Sequence, residues 1–248
     1  MMTESEIVEH GRKALQIEIE GLLMLQRNLG SDFAKAVEAC RKTVANGGKI
    51  VVTGIGKSGL VGHKIAATLA STGSPAVFMH PVEAMHGDLG ILQGSDLMIA
   101  LSYSGETDEL TRIIVPAKRF GVPVVCFTGN PESTLAKLSD LVVSCRVERE
   151  ACPFNLAPTA TSTAQLALGD ALAMVLLEVN QFTKEDFSMR HPSGAIGRVV
   201  ATRVRDFMRS GDRIALAKEE DTVKQVLVRM TSARCGSTIV VDDEGRLI

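Results

Sequence analysis

Between residues 49 and 145, short apolar runs alternate with helical segments, and no other feature constrains the fold as tightly. The stretches 49–53, 76–79, 96–102, 123–128 and 141–145 read as buried strands. Helical spacing fills 60–71, 106–119 and 134–138 between them, and the link 81–94 is less regular. Strands with no polar alternate face must be covered on both sides. The pattern therefore predicts an α/β protein: a doubly wound, five-stranded parallel sheet of order 2-1-3-4-5 between two layers of helices. Right-handed crossovers are near-obligatory in such a sheet. Two amphipathic helices precede it. The first covers 4–29, with Ile7, Ala14, Leu15, Leu22, Leu25 and Leu29 on its apolar face. Ile17, Ile19 and Leu23 are apolar beyond that stripe, which predicts packing between subunits. The second helix has Ser31 and Asp32 as candidate N-caps, a face of Phe33, Ala36, Val37, Cys40 and Val44, and Gly47-Gly48 as its stop. A long helix is expected over 160–182, followed by a loop, His191-Pro-Ser-Gly-Ala-Ile-Gly-Arg198.

After Arg203 the character changes. A short segment at 206–208, a helix over 222–233, a strand at 238–241, a turn at 242–245 and a fresh strand from Leu247 are read. These residues are too few for a core of their own, so 203–248 is expected to be the front of a second module, and 1–202 the main domain.

Composition narrows the function classes. Lys plus Arg is 27 against 29 Asp plus Glu, a net charge of −2, which gives nucleic acid no electrostatic footprint. With Tyr103 the single Tyr and no Trp, bases have little to stack on. The uncharged stretches 65–82 and 151–169 are broken by Pro, Gly and polar residues, and neither reads as a bilayer span. No signal peptide is read. Five Cys with no CxxC pattern point to a reducing compartment, so the cytoplasm is expected.

Chemistry is sought in the loops. The first strand runs through Gly54-Ile-Gly-Lys-Ser-Gly59 into a helix. Formally this is a dinucleotide fingerprint, but the acid required at the end of the second strand is missing. A phosphate loop of the Walker type would need Gly at Val51. What survives is a tight turn of backbone N–H groups at a helix N-terminus, suited to an anion. The third strand runs into Ser102-Tyr-Ser-Gly-Glu-Thr107, three hydroxyls around one Gly. Each loop alone is weak evidence, since Gly turns and Ser or Thr caps are common. In a sheet of order 2-1-3-4-5, however, these two loops meet at the switch point. Together they predict one phosphate held by Ser58, Ser102, Ser104 and Thr107. Acid–base groups gather in three further loops: His80, Glu83, His86 and Asp88; Glu148-Arg-Glu-Ala-Cys-Pro153; and His191. His80 and His86 match no recognised zinc spacing, and Cys152 is read as a packing residue.

These segments, with Ala157-Pro-Thr-Ala-Thr-Ser-Thr163, resemble the D-arabinose 5-phosphate isomerases, sugar isomerase (SIS) domain enzymes followed by a pair of CBS motifs. The resemblance covers nearly the whole chain, with His86-Gly-Asp-Leu-Gly90 and His191-Pro-Ser-Gly-Ala-Ile-Gly-Arg198 its most specific parts. Gly is expected where Val82 and Ser193 stand. The tail then corresponds to part of the first CBS motif, a partial C-terminal CBS module. The resemblance implies interconversion of ribulose 5-phosphate and arabinose 5-phosphate, on the route to the Kdo sugar of lipopolysaccharide, by a homotetramer without metal or organic cofactor. It places the catalytic set on Lys57, His86, Glu109, Glu150 and His191. Aldose–ketose isomerisation needs ring opening, proton removal beside a carbonyl and a cation for the enediolate. Glu150 is the expected base and Lys57 the cation. His86 and His191 suit ring opening and proton relay, and Glu109 the orientation of Lys57 or a substrate hydroxyl. Two other readings stay open: an SIS isomerase of another sugar phosphate, and a sugar-phosphate sensor without catalysis. No nucleic-acid or membrane partner is expected.

Overall fold

The computed structural model describes residues 2–190 and 203–248. It divides into two compact units, Met1–His191 and Pro192–Ile248. The first is built on five parallel strands in the order β2-β1-β3-β4-β5, the predicted order. These are β1 (Ile50–Gly54), β2 (Ala76–Met79), β3 (Leu97–Leu101), β4 (Val124–Thr128) and β5 (Leu141–Ser144). The three central strands β1, β3 and β4 are buried throughout. The pleat divides their side chains between two cores. Ile50, Val52, Ile99 and Phe127 enter one, Val51, Met98, Ala100 and Cys126 the other.

The first core is covered by α1 (Glu4–Asn28), α2 (Ser31–Ala45), α3 (Gly56–Ser71) and α7 (Ala160–Val179), through Leu25, Val37, Ile65 and Leu172 among others. The second is covered by α4 (Pro81–Met85), α5 (Asp108–Arg119) and α6 (Thr134–Leu138), through Ala84, Ile113 and Leu135. Each fully buried aliphatic side chain contributes ~1.5–3 kcal/mol. Most of the stability of this unit therefore lies in the sheet and its two coats.

Several local expectations shift. Helix α2 is capped by Gly30, without a side-chain cap, and Ser31 is its first helical residue. Helix α3 begins at Gly56 rather than 60, because the glycine-rich loop is itself the first turn. The irregular link contains α4 and a 3₁₀ turn, Asp88–Ile91. Helix α7 stops at Val179, where Gln181 takes a left-handed φ of 52°, and α8 (Lys184–Arg190) follows. By length and mean hydropathy α7 could cross a bilayer, a property that the broken stretch 151–169 does not reveal. Leu168, Leu172 and Leu176 nonetheless sit in the first core. On α1, Ile19 and Leu23 stay exposed as expected, whereas Ile17 packs on the core.

At the amino end of the sheet, buried Asp96 holds β1 to β3. It accepts hydrogen bonds from Lys49 Nζ at 2.6 Å, Lys49 N at 2.9 Å and Gln93 N at 2.8 Å. Burial pushes the Asp96 pKa up, and these bonds more than reverse it, so the carboxyl lies below its ordinary value.

The second unit is a small β–α–β. Strands β6 (Leu216–Ala217) and β7 (Ile239–Val240) pair in parallel around the helix Val223–Ser232, which a Thr222–Gln225 capping box starts. The sequence reading missed β6, which is only two residues long. Leu247 bridges back to Val241. Among its described residues only Ala215, Ala217 and Ala233 are buried, while Leu227 and Val228 face solvent.

Candidate active site

Strand β1 delivers the chain into α3 through Gly54 and Ile55. Among the described residues no side chain caps α3, whose N-cap is Ile55, and its first-turn N–H groups have no partner within the helix. Lys57 and Ser58 stand on that turn. Neighbouring β3 delivers the second loop. There Gly105 N donates to Ser102 Oγ at 3.1 Å, Ser102 Oγ and Thr107 Oγ1 share a hydrogen bond at 2.9 Å, and Glu106 N donates to Ser104 Oγ at 3.3 Å. Gly105 cannot be replaced: its φ is +68°, and a Cβ there would collide with the Ser133 side chain. Thr107 is the N-cap residue of α5 but makes no side-chain cap bond, so this helix too starts uncapped.

The hydroxyl protons are unequally available. Ser102 and Thr107 use one of their two protons on each other. Ser104 is exposed, accepts from the loop and, among the described residues, gives its own proton to no acceptor.

A third wall follows β5. Tyr103 Oη donates to Val147 O at 3.1 Å and accepts from Val147 N at 3.3 Å, clamping the strand exit to the second loop. Three residues on, Glu150 meets the start of α7. Its Oε2 accepts from Thr159 N at 2.8 Å, Thr159 Oγ1 at 2.9 Å and Thr161 N at 3.2 Å. Among the described residues, its Oε1 accepts from Thr161 Oγ1 alone, at 2.5 Å. Glu150 therefore caps α7 from outside the helix. Burial raises its pKa, and hydrogen bonds from Thr161 and Thr159 overcome that, so the carboxyl lies below its ordinary value and is ionised at neutral pH. Asn155, in left-handed backbone at φ 55°, accepts Glu150 N at 2.7 Å and fixes the loop.

These walls enclose a cleft of about 400 Å³. Lys57, Ser58, Ser102, Ser104, Thr107 and Glu150 all line it, so six of the nine residues singled out by the sequence meet in one place. Glu109 and His86 do not line it. Glu109 is exposed on the first turn of α5 and His86 is exposed at the end of α4, on two helices that pack together. His191 lies outside the described residues. His80 caps α4, accepting Val82 N on Nδ1 at 3.3 Å. Among the described residues no three His, Cys, Asp or Glu side chains gather as a metal site requires. Cys152 does not pack as expected. It is only half-buried, and backbone N–H groups of Ala157, Leu156 and Phe154 lower its thiol pKa.

Asn155 and Gln165, which the sequence reading does not single out, also line the cleft, as do Arg149 and Thr161, which lie in segments it names without giving them a role. Arg149 pairs with Glu20 of α1 at 3.6 Å. A larger groove, about 460 Å³, runs along α1 from Ile17 to Asn28 and ends at Glu148 and Arg149. It has no hydroxyl donors and no uncapped helix start, so the smaller cleft is the one equipped for an anion.

The chain matches the SIS domain family over residues 44–175. It is 46% identical over 233 residues to arabinose 5-phosphate isomerase KdsD of Shigella flexneri, covering 94% of this chain and 70% of that protein. It is 42% identical over 247 residues to arabinose 5-phosphate isomerase KdsD of Pseudomonas aeruginosa, covering 100% of this chain and 75% of that one. The solved structure of the E. coli CFT073 protein c3406, in complex with arabinose 5-phosphate, superposes with a TM-score of 0.74 at 37% identity, covering 77% of this chain and 100% of that one. The chain therefore belongs to the arabinose 5-phosphate isomerase family of SIS-domain proteins.

Proposed function

We propose that the cleft interconverts D-arabinose 5-phosphate and D-ribulose 5-phosphate through an enediol. The observation that carries this reading is the meeting of a lysine, phosphate-directed hydroxyls and the hydrogen-bonded carboxylate of Glu150 in a single cleft of about 400 Å³. The phosphate sits on the uncapped starts of α3 and α5, with Ser58, Ser102, Ser104 and Thr107 as its hydroxyl partners. Glu150 takes the proton from C2 of the open-chain aldose. The electron pair moves into the C1–C2 bond, O1 becomes the enediolate oxygen, and Lys57 holds that charge. Returning the proton to C1, with transfer of the O2 proton to O1, gives the ketose. Oε1 of Glu150 is the oxygen for this work, because Oε2 already accepts three hydrogen bonds.

His86 and His191 are assigned to ring opening and proton relay, and Glu109 to orienting Lys57 or a substrate hydroxyl. The exposed apolar residues of α1, Ile19 and Leu23, support a homotetramer in which His191 reaches a neighbour's cleft. Five free cysteines support a cytoplasmic setting, where the product would feed Kdo and lipopolysaccharide synthesis. Residues 1–202 form the isomerase domain in this reading, and 203–248 part of a first CBS motif. Incubation with arabinose 5-phosphate while following ketose tests it. Turnover supports the isomerase. Saturable binding of arabinose 5-phosphate without turnover refutes catalysis and makes the chain a sensor. Turnover of a hexose 6-phosphate alone reassigns the substrate.

A further inference from the structure

Gln165 does not balance its hydrogen bonds. It stands in the second turn of α7, lines the cleft and is 1% exposed. Its Oε1 accepts the Ser58 hydroxyl at 2.9 Å. Its Nε2, equally out of reach of solvent, has no partner among the described residues. A buried amide NH₂ left in that state is costly. The Cys145 thiol lies close to the same amide; burial pushes that thiol up to about 12 and outweighs the amide, which acts to lower its pKa, so it stays protonated. The pairing with Ser58 is built into the helix packing. One turn beyond Gln165, a Cβ on Gly169 would collide with the Ile65 side chain, so only glycine lets α7 approach α3 this closely.

Counting protons shows what the arrangement does. A serine hydroxyl has one proton. While Ser58 gives it to Gln165 Oε1, Ser58 shows the cleft only lone pairs, the wrong polarity for an anion. A half-turn of the Gln165 amide reverses this without changing its shape. Nε2 then donates to Ser58 Oγ, Oε1 accepts the Cys145 S–H, and the Ser58 proton is released towards the cleft. Every polar atom of the three side chains then has a partner once an anion is present.

We propose that Gln165 is a positioning residue whose amide turns over to make Ser58 a hydrogen-bond donor to the phosphate of the substrate. The inference rests on reading the cleft as a sugar-phosphate site, and it concerns a residue that acts through Ser58 without touching the reacting carbons.

The test is a double-mutant cycle on the full chain, read by KM and kcat for arabinose 5-phosphate and by competition from inorganic phosphate. Ser58→Ala and Gln165→Met should each raise KM about tenfold with kcat little changed, the scale of one charge-assisted hydrogen bond. The double variant should be no worse than Ser58→Ala alone, because Gln165 has no other route to the ligand. Gln165→Glu keeps the size and the polarity but, when ionised, can only accept. Checked for folding by its thermal melt, it should weaken competition by inorganic phosphate at least as much as Ser58→Ala. Losses that multiply in the double variant overturn the proposal, as does a folded Gln165→Glu that is inhibited like the wild type. Ser104→Ala, which Gln165 does not touch, separates the two levels. If Ser104→Ala weakens phosphate while the cycle is additive, the Gln165 mechanism alone fails. If Ser104→Ala changes nothing, the phosphate reading fails and this proposal with it.

Discussion

Replacing Thr161 with Val removes one oxygen and leaves a side chain of the same shape at a buried position of α7. That oxygen is the donor to Glu150 Oε1, at 2.5 Å. The three donors to Oε2 remain, so the carboxylate keeps its place while the oxygen proposed to move the proton loses its partner. A hydrogen bond to a charged group is worth ~1.5–3 kcal/mol. At the lower end of that range, appropriate to a half-buried carboxylate, the ratio of protonated to ionised Glu150 rises about tenfold at any pH. The acid limb of kcat therefore moves upward in Thr161→Val, and Thr161→Ser, which keeps a hydroxyl, stays near the wild type. The measurement is kcat rather than kcat/KM, because the substrate phosphate loses its second proton near pH ~6 and would overlay the limb. A second readout follows from linkage. The Glu150 pKa is depressed in the fold, so its contribution to stability is present above the ordinary carboxylate value and is lost as pH falls through the lowered value. The melting difference between wild type and Thr161→Val should be full at neutral pH and shrink on acidification. An unmoved acid limb together with a pH-independent melting difference would refute the assignment of Oε1 as the working oxygen.

Ser104→Ala and Thr107→Ala should raise KM for the sugar phosphate, each about tenfold or more for a lost charge-assisted bond; unchanged KM in both would separate the second loop from the phosphate. Glu150→Gln should lower kcat by at least ~10²-fold and also lower the melting temperature, since the same carboxylate caps α7. The wild type in D₂O should leave deuterium at C1 of the ketose formed from the aldose, and solvent-free transfer would require a shielded base. Asp96→Ala leaves Lys49 N and Gln93 N without their acceptor at a cost of ~3–5 kcal/mol, a fall of roughly 10 °C in Tm. It should leave KM untouched, because Asp96 lies at the opposite end of the sheet from the cleft. Ile19→Glu combined with Leu23→Glu charges the exposed face of α1, so particle size measured by light scattering should drop if subunits meet there, and a constant size would remove α1 from the interface.

The sheet was legible because its central strands are buried on both faces. Such strands must be apolar along their whole length, and no other element imposes five short uninterrupted runs separated by helical spacing. Errors fell where that pressure is absent. Strand β6 is two residues long and edges a unit with no large buried side chain among its described residues, so its sequence shows no alternation. Helix α3 starts four residues before the spacing predicts because Gly56, Lys57 and Gly59 look like loop chemistry. They are loop chemistry that has been folded into a helical turn, which is how a helix start becomes an anion site. Gly30 rather than Ser31 caps α2, a choice of one residue that depends on backbone angle and leaves no mark on composition.

The site divides along the same line. The hydroxyls and the lysine sit in loops directly after β1 and β3, where chain order and the switch point bring them together, so a topological rule was enough to pair them. Thr161 and Gln165 are reached differently. The Ser58–Gln165 bond joins residues 107 positions apart, and what sets it is the groove Gly169 opens for Ile65. A glutamine one turn before a glycine in an apolar helix looks like a solvated or structural residue, and its partner is visible only when two helices are packed. Glu150 shows both kinds of information in one residue. Its resemblance-based role as a base named a side chain that does line the cleft, yet the reason its carboxylate stays ionised there is its bonding to the start of α7, a fact of packing. His86 and Glu109 lie at the other extreme: family resemblance alone singles out Glu109, His86 is also read from its loop, and within one chain they stand on α4 and α5 without lining the cleft. Whatever they contribute to turnover must therefore come through movement of those two helices or through a neighbouring subunit. The charged variant of α1 distinguishes these routes, since dissociation would abolish the second and spare the first.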